Sequence, residues 1–248
     1  MKQILSICLT VGLALLVYSC NNNKSETSAK APKIKSMTVN NATMDPVKVS
    51  PANYKLIREK YGIRVLEINY KPGEVSAMHS HPDNVLYLLT DGKAEFTDKS
   101  GTKEVVDMKK GTAVIGGPES HGVKNVGNNP IKAYLFEISR PDVPLIRMAE
   151  ADAEKVAPKE YKVLQDSRNI RVLMADYKPG ESSGFHSHPY NAIVTLLPGK
   201  LEFTLSGGKK QVADLKVGDV VISDKGSHAA KNIGKTETKV LVVDVNRQ

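Results

Sequence analysis

The chain repeats itself once, at a fixed offset of 107 residues. Residues 45–141 align with residues 152–248 without a gap, and 42 of the 97 paired positions are identical. Each unit has the length of a small domain that folds on its own. Solenoid units are shorter, at roughly 20 to 50 residues, and stack in threes or more. We therefore predict two globular domains, at residues 45–141 and 152–248, joined by a connector at residues 142–151.

Within each unit, short apolar runs alternate with turn residues. In the first unit the predicted strands are residues 63–70, 85–89, 94–97, 105–108, 113–115 and 131–138. Short strands with turn signals at roughly 8- to 12-residue intervals indicate an all-β sandwich or barrel. The helix candidates are residues 145–156 and, with a weaker pattern, residues 52–61.

Histidine occurs only inside the repeated pattern. The six copies are His79, His81 and His121, and their repeat partners His186, His188 and His228. Residues two apart on a strand face the same side, so each His-Ser-His segment projects two imidazoles into one space. The third histidine of each unit comes from a strand about forty residues later. Three neutral imidazoles suit Fe, Mn, Ni, Cu or Zn and leave coordination positions open for water or substrate.

These residues resemble the two-part signature of the cupin superfamily. The matching positions are Gly73, His79, His81, Gly92, Gly111, His121 and Asn125, and then Gly180, His186, His188, Gly199, Gly218, His228 and Asn232. The resemblance covers almost all of residues 45–248 and implies two tandem double-stranded β-helix (jelly-roll) barrels, a bicupin. Within the superfamily, each half is most similar to small single-domain cupins of the β-alanine degradation protein type.

The chain departs from the cupin pattern at one ligand. The pattern implies a metal-binding glutamate four residues after the second histidine, where this chain has Val85 and Ala192. An apolar side chain cannot donate an electron pair to a metal. The resemblance therefore implies sites of three histidines, a form known in the superfamily.

The N-terminus has the pattern of an export signal. Residues 4–17 are apolar, a stretch shorter than the roughly 20 residues that a membrane span needs. The segment ending at Cys20 resembles a bacterial lipoprotein cleavage box, and the other cysteine, Cys8, lies before it. We expect a signal peptide at residues 1–19, and a lipidated Cys20 with a flexible tether at residues 20–44, anchored in the bacterial cell envelope. Ordinary signal cleavage with a free Cys20 is the alternative.

The net charge of +8 does not indicate a nucleic-acid partner. Lysines are spread along the chain in runs no longer than pairs, without the interleaved aromatic residues that a base-stacking surface requires. The expected partners are a small-molecule ligand or substrate and, through the lipid, a membrane. A homo-oligomer is left open.

Three functions fit the sequence. The first is a metal-dependent enzyme, such as an oxygenase, isomerase or hydrolase, acting on a small oxygenated organic acid or dicarbonyl. The second is a non-catalytic binding module, favoured because no Asp, Glu or Cys is repeated beside both histidine clusters. The third is a structural barrel with relic sites. No catalytic residue is assigned. Divergence between the repeats places Tyr87, Asp83 and Tyr190 in the predicted ligand pocket.

Overall fold

The computed structural model describes residues 44–139 and 151–245. The first half begins with a single helical turn, α1 (Pro46–Val49). Nine strands follow: β1 (Tyr54–Lys60), β2 (Ile63–Tyr70), β3 (His79–His81), β4 (Asp83–Leu88), β5 (Gly92–Asp98), β6 (Lys103–Met108), β7 (Ala113–Gly116), β8 (Glu119–Asn125) and β9 (Ile131–Ile138).

The second half has the same element order. It begins with the helical turn α2 (Ala153–Val156). Its strands are β10 (Tyr161–Ser167), β11 (Ile170–Tyr177), β12 (His186–His188), β13 (Tyr190–Leu197), β14 (Gly199–Leu205), β15 (Lys210–Leu215), β16 (Val220–Ser223), β17 (Gly226–Asn232) and β18 (Thr238–Val245).

Each half is a sandwich of two antiparallel sheets. In the first half, a five-stranded sheet has the order β1-β2-β9-β4-β7 and a four-stranded sheet has the order β3-β8-β5-β6. The second half repeats both orders, as β10-β11-β18-β13-β16 and β12-β17-β14-β15. The predicted all-β fold of two tandem jelly-roll barrels is therefore confirmed.

The five-stranded sheets are buried on both faces. Along β2, Leu66 and Ile68 pack into the interior of the first barrel, whereas Ile63 and Val65 belong to an apolar core shared by the two halves. The second half has its own interior core and contributes strands β11, β13, β16 and β18 to the shared core. Strand β1 lies beside β16 and strand β10 beside β7, so the two halves meet through equivalent surfaces.

The helix predicted at residues 52–61 is wrong, because most of this segment forms strand β1. Strand β1 pairs with β2 from Tyr54 to Lys60, with a register shift between Leu56 and Arg58. It is an edge strand with mostly exposed side chains, so the sequence carries no two-residue apolar alternation there. Of the helix predicted at residues 145–156, the described part contains the turn Ala153–Val156, and residues before 151 lie outside it.

Candidate metal centre

The three histidines of each half converge inside its barrel. Strand β3 pairs with β8 so that His79 faces His121 and Ser80 faces Ser120. The serine hydroxyls lie 2.7 Å apart on the opposite side of the ladder from the imidazoles. One ligand atom from each of His79, His81 and His121 lies within 4.8 Å of the others. The spacing argument from the sequence therefore places these side chains correctly.

The second half builds the same group. Strand β12 pairs with β17 so that His186 faces His228. One ligand atom from each of His186, His188 and His228 again lies within 4.8 Å of the others. In both halves the two histidines of the short strand are fully buried, and the third is slightly more exposed, with 12% of the His121 side chain accessible.

A buried carboxylate lies behind the second histidine of each group. The His81 Nδ1 atom lies 2.8 Å from Glu137 Oε1, and His188 Nδ1 lies 3.2 Å from Asp244 Oδ1. An ionised carboxylate only accepts hydrogen bonds, so Nδ1 carries the proton and donates a hydrogen bond to the carboxylate. The Nε2 lone pair is then free for a metal, as in carboxylate-oriented metal sites.

Backbone carbonyls fix the first histidine in the same way. His79 Nδ1 lies 2.7 Å from the Ala77 carbonyl oxygen, and His186 Nδ1 lies 2.8 Å from that of Gly184. A carbonyl oxygen cannot donate, so Nδ1 is protonated and Nε2 carries the lone pair. In each barrel at least two of the three imidazoles are therefore held in the ligand tautomer before any metal binds.

Sequence reasoning missed these carboxylates. It found no acid repeated beside both histidine clusters, yet positions 137 and 244 are related by the 107-residue offset. One holds glutamate and the other aspartate, and both lie on the last strand of their half, far in sequence from the histidines they contact. A comparison of the two halves for positions where both residues are acidic, and not only for identical residues, would have found this pair.

An arginine balances each carboxylate. Arg64 forms an ion pair with Glu137 Oε2 at 2.9 Å, without hydrogen-bond geometry, and donates to Asp45 at 3.1 Å. Arg171 donates to Asp244 Oδ2 at 2.8 Å and to both oxygens of Asp152 at 2.9 Å. These chains of contacts run from the start of each half to a histidine of its metal group. The arginines thus contact the carboxylates that hold the second histidines.

The two arginine networks differ in burial. The side chain of Arg171 is 1% exposed, whereas that of Arg64 is 19% exposed. Burial raises the pKa of Asp244, but His188 and Arg171 together bring it below its ordinary value. Asp244 is therefore an ionised hydrogen-bond acceptor at neutral pH.

Burial keeps four of the six imidazoles neutral. Desolvation lowers the pKa of His79 and of His186 to about 4. It lowers the pKa of His121 and of His228 to about 3, where neighbouring imidazoles add to the shift. A neutral imidazole is the form that binds a metal. Proton competition for the lone pairs of these four imidazoles therefore begins well below the reference pKa of about 6.5.

These shifts predict that the metal-free protein loses stability in mild acid. Between pH 6.5 and about 4, the unfolded histidines bind protons that the folded ones reject, so the free energy of unfolding falls as pH falls. Urea midpoints of chelator-treated protein should decrease from pH 7.5 to 5.5, above the range in which unfolded carboxylates titrate. A variant with His121→Asn and His228→Asn should show a weaker pH dependence. An unchanged midpoint across this range in the parent protein would contradict the shifts.

The position of the cupin glutamate also needs correction. Val85 and Ala192 point away from the histidines, into the core shared by the two halves. The next residues along the strands, Leu86 and Ile193, pack against the interior cores instead. Both inward positions are apolar, so these strands supply no glutamate ligand. The residues that show this are Leu86 and Ile193, and not Val85 and Ala192.

The three predicted pocket residues lie where the two halves meet. Tyr87 belongs to the shared core, and Tyr190 packs against that core with its ring 5.3 Å from that of Tyr61. Asp83 forms an ion pair with Arg168 of the other half. All three are on the side of their strands that faces the neighbouring barrel. The structure does not bring them together with the histidines.

The two sites differ in an acidic residue beside the third histidine. Glu119 Oε1 lies 3.5 Å from His121 Nδ1, and burial raises the pKa of this carboxyl. Its repeat partner is Gly226, which has no side chain. An aromatic ring, Phe96 or Phe203, contacts the third histidine in both halves, with ring centroids 5.2 and 5.3 Å apart. The first site therefore has an acid at its entrance that the second lacks.

A comparison with protein families decides the assignment. The cupin domain model matches residues 66–137 and again residues 173–244, more than half of the chain. The chain belongs to the cupin family. With one match in each half it is a bicupin, as the tandem repeat predicted.

Solved structures show the same bicupin fold at low sequence identity. A variant of oxalate decarboxylase from Bacillus subtilis aligns with a TM-score of 0.57 and 15% identity, covering 78% of this chain and 72% of that one. AerE from Microcystis aeruginosa gives 0.55 and 15%, covering 79% and 98%. The 7S globulin of Momordica charantia gives 0.54 and 12%, covering 77% and 75%. No curated protein matches the bicupin in sequence.

The N-terminal predictions lie outside the described residues. They comprise the signal peptide at residues 1–19, lipidation of Cys20 and the tether up to residue 43. Within the described residues, no helix combines the length and apolar character that crossing a membrane requires.

Proposed function

We propose that this bicupin is an exported, lipid-anchored protein that binds one divalent transition metal in each barrel and acts on a small oxygenated organic acid or dicarbonyl. The observation that carries the proposal is the orientation of the imidazoles. Nδ1 of His81 and His188 donates to a buried carboxylate, which leaves Nε2 for the metal.

The chain would hold each metal through its three histidines. When bound, the ion would polarise a substrate oxygen or lower the pKa of a bound water. Glu137 and Asp244 orient a histidine and are paired with arginine, so neither is placed to remove a substrate proton. At the first site Glu119 stands beside His121 at the entrance, where it can accept a proton from a bound acid. The first barrel is therefore the better candidate for catalysis.

The structural neighbours support the choice of metal and ligand class. Oxalate decarboxylase acts on a small dicarboxylate, and one of the similar structures concerns its Mn(II) centres. That structure has a TM-score of 0.52 and 15% identity to this chain. We extend from it only the class of ion, a divalent transition metal, and the class of ligand, a small organic acid.

Metal content and turnover test the proposal together. Full-length protein purified without chelators should contain a transition metal by elemental analysis. It should convert one member of a library of carboxylic acids and dicarbonyls, with or without oxygen, and lose this activity on chelation. Near-zero metal after native purification, with no uptake of added ions, would exclude metal binding. A mass for the N-terminal peptide showing unmodified Cys20 would exclude the lipid anchor.

A non-catalytic binding module is the second candidate. It is favoured because, in the described part of the chain, the metal-ligand groups contain histidines alone. The carboxylates present in both halves face Nδ1, the side away from the bound ion. Calorimetry would support this function if a small acid binds the metal-loaded protein while mass spectrometry detects no product.

A further inference from the structure

A tyrosine hydroxyl lies against the first histidine of each metal group. Tyr54 Oη is 2.9 Å from His79 Nε2, and Tyr161 Oη is 3.0 Å from His186 Nε2. Positions 54 and 161 are related by the repeat offset, and both side chains are buried. Since Nδ1 of each histidine is held by a backbone carbonyl, Nε2 accepts and the phenol donates. The hydroxyl therefore occupies the lone pair that would bind the metal.

The spacing also fits two ligands of one ion. Metal–nitrogen and metal–oxygen bonds to a first-row ion are about 2.1 Å long, so two donors at right angles lie about 3.0 Å apart. The observed separations of 2.9 and 3.0 Å, which are also hydrogen-bond distances, match this value and are shorter than the about 3.4 Å expected at a tetrahedral angle. The Tyr54 ring also lies beside the second histidine, with its centroid 5.9 Å from that of His81. The Tyr54 ring therefore contacts both imidazoles of β3, and its hydroxyl lies at the Nε2 atom of the first.

The barrel strands leave this ligand position open. Leu86 and Ile193, the inward residues near the position of the cupin glutamate, have no donor atom. The carboxylates of Glu137 and Asp244 bond to Nδ1 and to arginine, on the far side of the second imidazole. Strand β1, and its counterpart β10, brings an oxygen to the Nε2 side from a different part of the fold.

We propose that Tyr54 and Tyr161 each supply a fourth, oxygen donor, so that each barrel holds its metal through three histidines and one tyrosine. This inference rests on the proposed metal-binding function. When the metal–oxygen bond forms, the phenol O–H bond breaks and its proton passes to solvent. The tyrosine thus restores the anionic oxygen ligand whose usual position on the strand is apolar.

Tyrosine-to-phenylalanine variants of the full-length chain test the proposal. The variant with Tyr54→Phe and Tyr161→Phe keeps both rings and removes both oxygens. In competition with a chromophoric chelator, its affinity for Zn(II) should fall by about 10-fold or more. Loaded with Cu(II), the parent protein should show a visible phenolate-to-copper charge-transfer band. That band should weaken in each single variant and vanish in the double variant.

The repeat also provides a matched control. Tyr70 and Tyr177 are buried rings in edge contact with Tyr54 and Tyr161, at centroid distances of 5.9 and 6.2 Å, and no hydrogen bond joins them to the histidines. Tyr70→Phe with Tyr177→Phe should retain the band and most of the Zn(II) affinity, because each change removes only a hydroxyl next to that of Tyr54 or Tyr161 and leaves the proposed ligand oxygen in place. A parent protein that binds Cu(II) without the band, or a band that survives in the double variant, overturns the tyrosine ligand alone. A parent protein that binds neither ion overturns the proposed function as well.

Discussion

Replacing one histidine per barrel with alanine should remove the bound metal in two separate steps. The parent protein should bind two ions per chain, one for each histidine group. His79→Ala should lose the first and His186→Ala the second, while the double variant should retain neither. Partners behind the ligands typically contribute 10- to 100-fold in metal affinity, so removal of a ligand itself should weaken binding by at least about 100-fold. Elemental analysis after dialysis, referred to folded protein by circular dichroism, measures each step.

The serines between the histidines provide the control for these variants. Ser80 and Ser187 bond across the ladder to Ser120 and Ser227, on the face opposite the imidazoles. Ser80→Ala with Ser187→Ala should therefore retain both ions. Because alanine leaves a cavity at a buried position, His79→Gln and His186→Gln should be measured in parallel. Two tightly bound ions in the histidine double variant would show that the metal is held elsewhere.

The sequence predicted the strands with strong apolar patterns. The predicted strands at residues 63–70 and 131–138 coincide with β2 and β9. Both pack against cores on two faces and are bounded by turn residues, so their apolar content alone identifies them. Strand β1 was not predicted, because an exposed edge strand shows little alternation and its pairing with β2 depends on residues elsewhere in the chain.

The pocket prediction failed because the positions that face the barrel interior switch from odd-numbered residues in β3 to even-numbered residues in β4. His79 and His81 are odd-numbered and face the barrel interior, whereas in β4 the even-numbered Leu86 and Leu88 do. The chain crosses from the four-stranded to the five-stranded sheet at Pro82. Nearness in sequence to the histidines therefore did not place a residue in the site. Because of the same switch, Val85 faces the shared core and not the metal group.

The partners behind the histidines were missed because they come from distant strands. Tyrosine is identical in the two halves at positions 54 and 161, and arginine at positions 64 and 171. Identity between the two halves alone does not distinguish a residue that contacts the metal group from a residue of the apolar core. Only the pairing of β2 with β9, and of β11 with β18, brings each arginine beside its carboxylate.

Replacing Arg171 with methionine should destabilise the protein far more than the same change at Arg64. Arg171 is buried between Asp152 and Asp244, whose side chains are 5% and 0% exposed. Its removal leaves two buried carboxylates without a counter-charge, and breaking a buried ion pair in this way costs about 3–5 kcal/mol. Arg64 and Asp45 are each 19% exposed, so water can screen Asp45 after the change, and Glu137 is the one carboxylate of this network left buried without its counter-charge. The repeat thus supplies its own matched control.

Chemical denaturation of metal-free protein measures the difference. The chain contains no tryptophan, so far-UV circular dichroism is a suitable probe, and chelator keeps metal binding out of the comparison. We expect the Arg171→Met midpoint to fall well below that of Arg64→Met with similar slopes. Adding Asp152→Asn and Asp244→Asn should recover part of the loss, because no unpaired charge then remains buried. Equal losses for the two arginine variants would mean that the second network is no more dependent on its buried cation than the first. The ionised state of Asp244, and with it the tautomer of His188, would then have to be maintained by the remaining contacts.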